Sequence, residues 1–328
     1  MTMPVVLIGP GVLRFQPGRF REILLEAGCE LIEPPAPDAL SLEQVLEHLP
    51  RCHAMLVGGE RITASVLDAA PHLKILARVG VGFDGVEIPA ASARGILVTI
   101  TPGTNHGSVA EQAFGLLLAL TRRIAECDRE IRGGGWPRGG IVPLRGRTMG
   151  LVGLGRIGQA MAVRAQAFDM RVIAFDPVAD EVFSSRIGIE RVSLATLLRD
   201  SDVVSLHAPL IESTRHLINR ETLAQMRDGA ILLNTARGGL VNEMDLLDAL
   251  QSGRLAGAGL DVLDPEPPAL DNPLLSLNNV ILSAHVAGID TLAIQDMAAL
   301  AADCVVRALR GDWPHGCVVN LELADRFN

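Results

Sequence analysis

The sequence predicts two doubly wound α/β domains in a chain of 328 residues. Three observations carry this. Short β-rich apolar runs alternate with helix-length segments along most of the chain. A Pro/Gly-rich stretch interrupts the alternation near its first third. The series that follows opens on a glycine-rich turn between a strand and a helix. The length favours two domains over one, and 48% hydrophobic against 20% charged residues leaves ample material for two packed cores.

In the first series, strands are predicted in VVLIG (5–9), CELIE (29–33), AMLVG (54–58), ILARV (75–79) and ILVTI (96–100). Helical periodicity lies between them, as in RFREILLEAG and SLEQVLEHL. Such alternation implies a parallel sheet with helices on both faces. TPGTNHG (101–107) carries Pro, two Gly and cap-forming Thr and Asn, so it reads as a hinge into one long helix near 108–132. RGGGWPRGGIVPLRGRT (132–148) reads as a surface arm.

The second series predicts six strands, at about 149–153, 171–175, 202–206, 230–234, 257–261 and 279–283. Six strands with helical crossovers suit a dinucleotide-binding sheet. The last helical segment, about 290–310, has no place in that sheet and is expected to return to the first domain. Residues 1–101 with 289–328 would then form one discontinuous domain, and 102–288 the other.

Composition excludes several classes. A formal net charge of −9 argues against a nucleic-acid partner, which needs a basic face. Cys29, Cys52, Cys127, Cys304 and Cys317 are scattered without a CxxC pair, so neither a metal site nor a disulfide framework is expected. VAEQAFGLLLALTRRIA is too short between charges to span a bilayer, and MTMPVVLIGP lacks a signal-peptide pattern. A cytoplasmic protein with reduced thiols and no membrane partner is the expectation.

The glycine turn is GLGRIG, with Gly153, Gly155 and Gly158 in G-x-G-x-x-G spacing after a strand and before a helix. Gly153 permits the tight turn, Gly155 lets backbone approach a pyrophosphate, and Gly158 lets helix and strand pack closely. The helix start would face the phosphates with free amides. The next strand ends in Asp176, where a carboxylate hydrogen-bonds a ribose hydroxyl and repels the extra phosphate of NADP. No basic residue follows in DPVADE, so NAD is favoured.

Later strands deliver His207, Arg237, Asp261, Glu266 and His285 to what should be one edge of the sheet. Reduction of a ketone leaves charge on oxygen and needs a proton. His285 suits the acid/base, Glu266 its carboxylate partner, and Arg237 the anchor for a substrate carboxylate.

These residues resemble the D-isomer-specific 2-hydroxyacid dehydrogenase family over nearly the whole chain. The stretches that carry the likeness are RVGVGFDG, TPGTNHGSVAE, LRGRTMGLVGLGRIG, DSDVVSLHAPL, LLNTARGGLVNE, LDVLDPEPP, HVAG and a late VVN. The resemblance implies a flavodoxin-like substrate domain beside a Rossmann domain, and a catalytic trio of Arg237, Glu266 and His285. It also implies cofactor contacts at Arg156, Ile157, Asp176, His207 and Asp261. Ala208, Pro209, Thr235, Ala236 and Gly288 share those strand ends and are expected to join them.

Backbone near Val81 and Gly82 would bind the substrate carboxylate across a cleft, and a homodimer would form through 108–148. Arg61 and Arg78 stand where a phosphorylated substrate could be gripped, as in D-3-phosphoglycerate dehydrogenases. Hydroxypyruvate or glyoxylate reduction is the alternative chemistry, and an NAD-sensing corepressor-like protein the alternative class. One departure is GVGFDGVE, where Gly85 and Glu87 replace the usual continuation.

Overall fold

A computed structural model describes residues 3–178 and 181–326. They form two compact units. One joins the chain up to Asn105 with the chain from Ile289 onward; the other is His106–Gly288.

The first unit is built on five parallel strands: β1 (Val5–Ile8), β2 (Glu30–Ile32), β3 (Ala54–Val57), β4 (Ile75–Arg78) and β5 (Leu97–Thr99). Their spatial order is β2-β1-β3-β4-β5, the flavodoxin-like winding. Each strand is one or two residues shorter than its apolar run predicted, because ladder pairing stops before the apolar residues do. Helix Thr291–Arg310 belongs to this unit, as its lack of a place in the other sheet required. Asp290 caps its start by accepting from the Leu292 and Ala293 amides, and Gly311 ends it in the left-handed region. Its face of Ala293, Met297, Ala301, Cys304 and Val305 is buried in a core shared with Leu24, Phe20 and the strands.

Beyond this helix the chain returns to the sheet edge. Ile100 N donates to Cys317 O and Val319 N to Val98 O. The buried Asn320 side chain accepts from Val98 N at 2.9 Å and donates to Ile96 O at 2.9 Å. A carboxamide thus replaces a missing neighbour strand at the β5 edge.

The second unit holds seven parallel strands: β6 (Thr148–Val152), β7 (Arg171–Phe175), β8 (Glu190–Arg191), β9 (Val203–Leu206), β10 (Ala230–Asn234), β11 (Leu255–Leu260) and β12 (Val280–Leu282). The order β12-β11-β10-β9-β6-β7-β8 reverses at β6, giving the Rossmann switch point between β6 and β9. Six strands were expected. The seventh, β8, pairs only Glu190 and Arg191 with β7, and both residues are exposed. It leaves no apolar run to read.

The single helix expected near 108–132 is two, His106–Thr121 and Ile124–Arg132. Arg123 sits between them at φ 53 and donates to Glu126. The first helix buries Val109, Ala113, Phe114 and Leu117, whereas the second buries nothing. Helical periodicity runs unbroken through both, so only the packing partner distinguishes them. The arm after Arg132 is mostly exposed as far as Pro143, Trp136 included, and Leu144 then enters the core.

Asn320→Ala is expected to destabilise the first unit by about 1–3 kcal/mol, because it strips partners from the buried Val98 amide and Ile96 carbonyl. Denaturant melts followed by amide exchange at residues 96–100 check this; unchanged protection there would refute it.

Candidate active site

Parallel pairing sets a level row across the second sheet. Phe175 pairs with Val152, Val152 with Leu206, Leu206 with Asn234, Asn234 with Leu260, and Leu260 with Leu282. The next residue on each strand is therefore Asp176, Gly153, His207, Thr235, Asp261 or Ser283. The chemistry-bearing side chains emerge together because the strands end together.

At the switch point Gly153 has φ 97, and a Cβ there would lie 2.7 Å from His207 O. A Cβ on Gly158 would lie 2.2 Å from Gly153 O, so the turn and the helix Arg156–Ala167 close only without side chains. A Cβ on Gly155 would touch nothing within 4 Å. The protein itself does not require glycine there; space beside it does. Gly155 caps the helix without a side-chain bond, and Gly155 and Arg156 are exposed while Ile157 is half-buried. The first-turn amides thus lack a side-chain acceptor, as an anion site needs.

Asp176 is fixed by two amides: Leu154 N donates to one oxygen at 2.7 Å and Val178 N to the other at 2.8 Å. No basic residue follows Asp176 in DPVADE, but β8 brings one. Arg191 Nη2 donates to Asp176 O at 3.1 Å. No apolar pattern announces that two-residue strand.

Two buried polar atoms at adjacent strand ends have no hydrogen-bond partner among the described residues, His207 Nδ1 and Thr235 Oγ1. Burial pushes the His207 imidazole down to about 4, so it is neutral at physiological pH. Its Nε2 lies 2.9 Å from Ser205 Oγ. Orphaned buried groups cost about 1–3 kcal/mol each, which a bound polar ligand would offset. Ala208, Ala236 and Gly288 are half-buried and Pro209 exposed around the same edge.

His285 Nδ1 donates to Glu266 Oε2 at 2.6 Å, which unites two of the expected trio. The imidazole keeps 48% of its surface exposed, so Nε2 is open to a ligand. Burial alone would raise the Glu266 carboxyl, but His285, the Leu263 amide and the charge of Arg237 outweigh it and hold it below the usual carboxylate range. Glu266 therefore stays ionised and selects the tautomer with the proton on Nδ1. The peptides before Pro265 and Pro267, either side of Glu266, are cis. Arg237 is half-buried, and its Nη1 donates to Ala236 O at 2.6 Å.

His285 itself has φ 53, a left-handed backbone that a side chain rarely adopts. Asp261 holds it there. Its carbonyl accepts His285 N at 2.7 Å. Its buried carboxylate accepts Ser283 Oγ at 2.6 Å, Val286 N at 3.0 Å and Ala287 N at 2.9 Å. Ser283 Oγ in turn accepts from Gln112 Nε2 at 3.0 Å. Asp261 was expected to contact cofactor; within the chain its side chain is engaged by the histidine loop. Gln112, Ser283 and Asn234 were not singled out from sequence, since neither pattern nor spacing distinguishes a polar residue that serves a neighbour's loop.

The four expected substrate contacts lie in the first unit. Thr101 holds the start of their loop: Gly80 N donates to Thr101 Oγ1 at 3.0 Å and Thr101 N to Gly80 O at 3.0 Å. Val81 and Gly82 follow, half-buried. Arg78 Nη1 donates to Val79 O at 2.8 Å and Val57 O at 3.3 Å, while Arg61 is exposed. Among the described residues there is no cluster of His, Cys, Asp or Glu that could hold a metal ion, and no helix long and apolar enough to cross a membrane.

Comparison with known proteins gives concordant findings. The sequence model described as D-isomer specific 2-hydroxyacid dehydrogenase, NAD binding domain, matches residues 114–287. A glyoxylate reductase from Korarchaeum cryptofilum is 41% identical over 85% of this chain and 86% of its own length. A D-3-phosphoglycerate dehydrogenase from Archaeoglobus fulgidus is 39% identical over 85% of this chain, which spans only 54% of that relative. The crystal structure of the TT0316 protein from Thermus thermophilus superposes with a TM-score of 0.88 at 39% identity, covering 96% of this chain and all of that one.

Asp261→Asn puts an amide group among donors. It is expected to cost about 1–3 kcal/mol of stability and to speed amide exchange of residues 283–287 before the rest of the sheet. Exchange as slow as in the wild type would show that the carboxylate does not hold the loop.

Proposed function

Because the chain belongs to the D-isomer-specific 2-hydroxyacid dehydrogenase family, we propose that it interconverts a 2-keto acid and a D-2-hydroxy acid with a nicotinamide cofactor. The observation that carries this is the 2.6 Å bond between His285 and an ionised Glu266, with the Arg237 charge acting on the same carboxylate.

Glu266 fixes the Nδ1 proton and leaves Nε2 to exchange a proton with the substrate oxygen. In the direction of reduction, protonated His285 gives that proton to the developing alkoxide, and Glu266 stabilises the imidazolium beforehand. In oxidation the same nitrogen takes it back. Arg237 supplies a planar cation for the substrate carboxylate and polarises the carbonyl. Residues 1–101 with 289–328 serve as the substrate domain in this proposal, with the backbone at Val81 and Gly82 as that domain's candidate carboxylate contact.

The cofactor fits the second unit. Amides of Gly155, Arg156 and Ile157 would hold the pyrophosphate, Asp176 the ribose, and Thr235 and His207 would find partners for their orphaned atoms. A bound nicotinamide supplies the hydride. Asp176, pinned by two amides at the end of β7, supports NAD over NADP, since a fixed carboxylate repels a 2′-phosphate, whereas the Arg191 guanidinium on the Asp176 carbonyl acts in the opposite sense.

The substrate we favour is a small 2-keto acid, with glyoxylate and hydroxypyruvate as the first to try. D-3-phosphoglycerate chemistry would rest on Arg61, which is exposed, and on Arg78, whose Nη1 bonds the Val57 and Val79 carbonyls. We also propose a cytoplasmic homodimer. Ile124, Ile131, Trp136 and Ile141 expose apolar surface on the second of the two helices and the arm, which a partner copy would cover.

His285→Gln should lower kcat for NADH-dependent reduction of a 2-keto acid by about 10²–10⁴-fold while NADH binding holds. Assay against a panel of 2-keto acids checks it. Tight NADH binding by the wild type without turnover of any member would favour the sensing protein instead. Trp136→Glu should shift the mass measured by light scattering from dimer to monomer, and an unshifted mass would exclude the arm as the interface.

A further inference from the structure

The loops that carry Arg237 and His285 of the proposed trio are held differently. Asp261 holds the His285 loop from a neighbouring strand. The Arg237 turn is held by the last residue of its own strand, Asn234, whose side chain is buried. Asn234 Oδ1 accepts from Ala236 N at 3.1 Å, and Asn234 Nδ2 donates to Arg237 O at 2.8 Å. One rigid carboxamide therefore brackets the peptide between Ala236 and Arg237. The carbonyl of that peptide, Ala236 O, accepts from Arg237 Nη1 at 2.6 Å. The bracketed peptide is thus one anchor of the guanidinium.

The surroundings leave this turn no slack. A Cβ on Gly238 would lie 2.1 Å from Leu263 O, so the turn is pressed against the segment leading to Glu266. Asp261 N donates to Asn234 O at 2.9 Å, which ties the bracket to the residue that holds the His285 loop.

We infer that Asn234 is the positioning residue for Arg237, its carboxamide bracketing the Ala236–Arg237 peptide so that the guanidinium is aimed at the substrate carboxylate. This rests on the dehydrogenase assignment of the same site. Asn234 touches no substrate; it acts through Arg237. An aspartate of the same shape keeps the acceptor for Ala236 N but sets an oxygen against Arg237 O. An alanine removes both bonds.

The test uses Asn234→Ala and the isosteric Asn234→Asp in the full chain. NADH affinity is read by fluorescence, and affinity for oxamate, a carboxylate-bearing analogue of a 2-keto acid, is read in the presence of NADH. Both variants should bind NADH within about twofold of the wild type and oxamate about tenfold or more weakly, because a small misplacement of a binding group is costly. In an Arg237→Ala background, Asn234→Ala should weaken oxamate no further.

A purely structural asparagine would lower the melting temperature and weaken both ligands alike, or neither, and either pattern overturns the inference. So does an added loss in the Arg237→Ala background. A wild type that neither binds oxamate nor turns over any 2-keto acid overturns the functional assignment, and this inference with it. A wild type that does both, beside an Asn234→Ala variant that binds oxamate as tightly, overturns this inference alone.

Discussion

A buried carboxylate organises the candidate catalytic edge. Asp261 is almost wholly enclosed, and a bare charge there would be costly. It is stabilised by a hydroxyl and two amides, all from the short loop after β12. The desolvation that makes the charge costly also strengthens each bond it accepts. These bonds hold the loop with His285 in a left-handed backbone and its ring at Glu266. Strain at one residue is offset by a concentrated set of charge-assisted bonds beneath it.

That arrangement depends on where the strands stop. Parallel strands in register end at one level, and their turns emerge on one side. Glu266 and His285 are distant in sequence yet follow adjacent strands β11 and β12. Arg237 follows β10, one strand further in. Within this edge the polar side chains divide their work. His207 and Thr235 keep orphaned atoms suited to a ligand, whereas Asn234, Asp261 and Ser283 satisfy their bonds internally and fix what surrounds them.

Much of this was legible in the sequence. Buried parallel strands read as apolar runs, and every strand among the described residues except β8 falls on a predicted one, although β2 carries the exposed Glu30. GLGRIG marked the turn after β6 because Gly153 and Gly158 stand where a side chain would collide with backbone. β8 went unread because two exposed residues have no pattern. The break at Arg123 went unread because periodicity reports an amphipathic face, not a change in what that face meets.

Sequence by itself determined the elements, their alternation and the residue types able to do acid/base and anion chemistry, since these follow from local periodicity, sterics and functional groups. Only the tertiary structure decided that Asp261 serves the histidine loop, that Asn234 brackets the arginine turn, and that Arg191 stands beside Asp176. Each is a hydrogen bond between segments far apart in the chain or around a turn, and its geometry exists only once strand register brings donor and acceptor within about 3 Å.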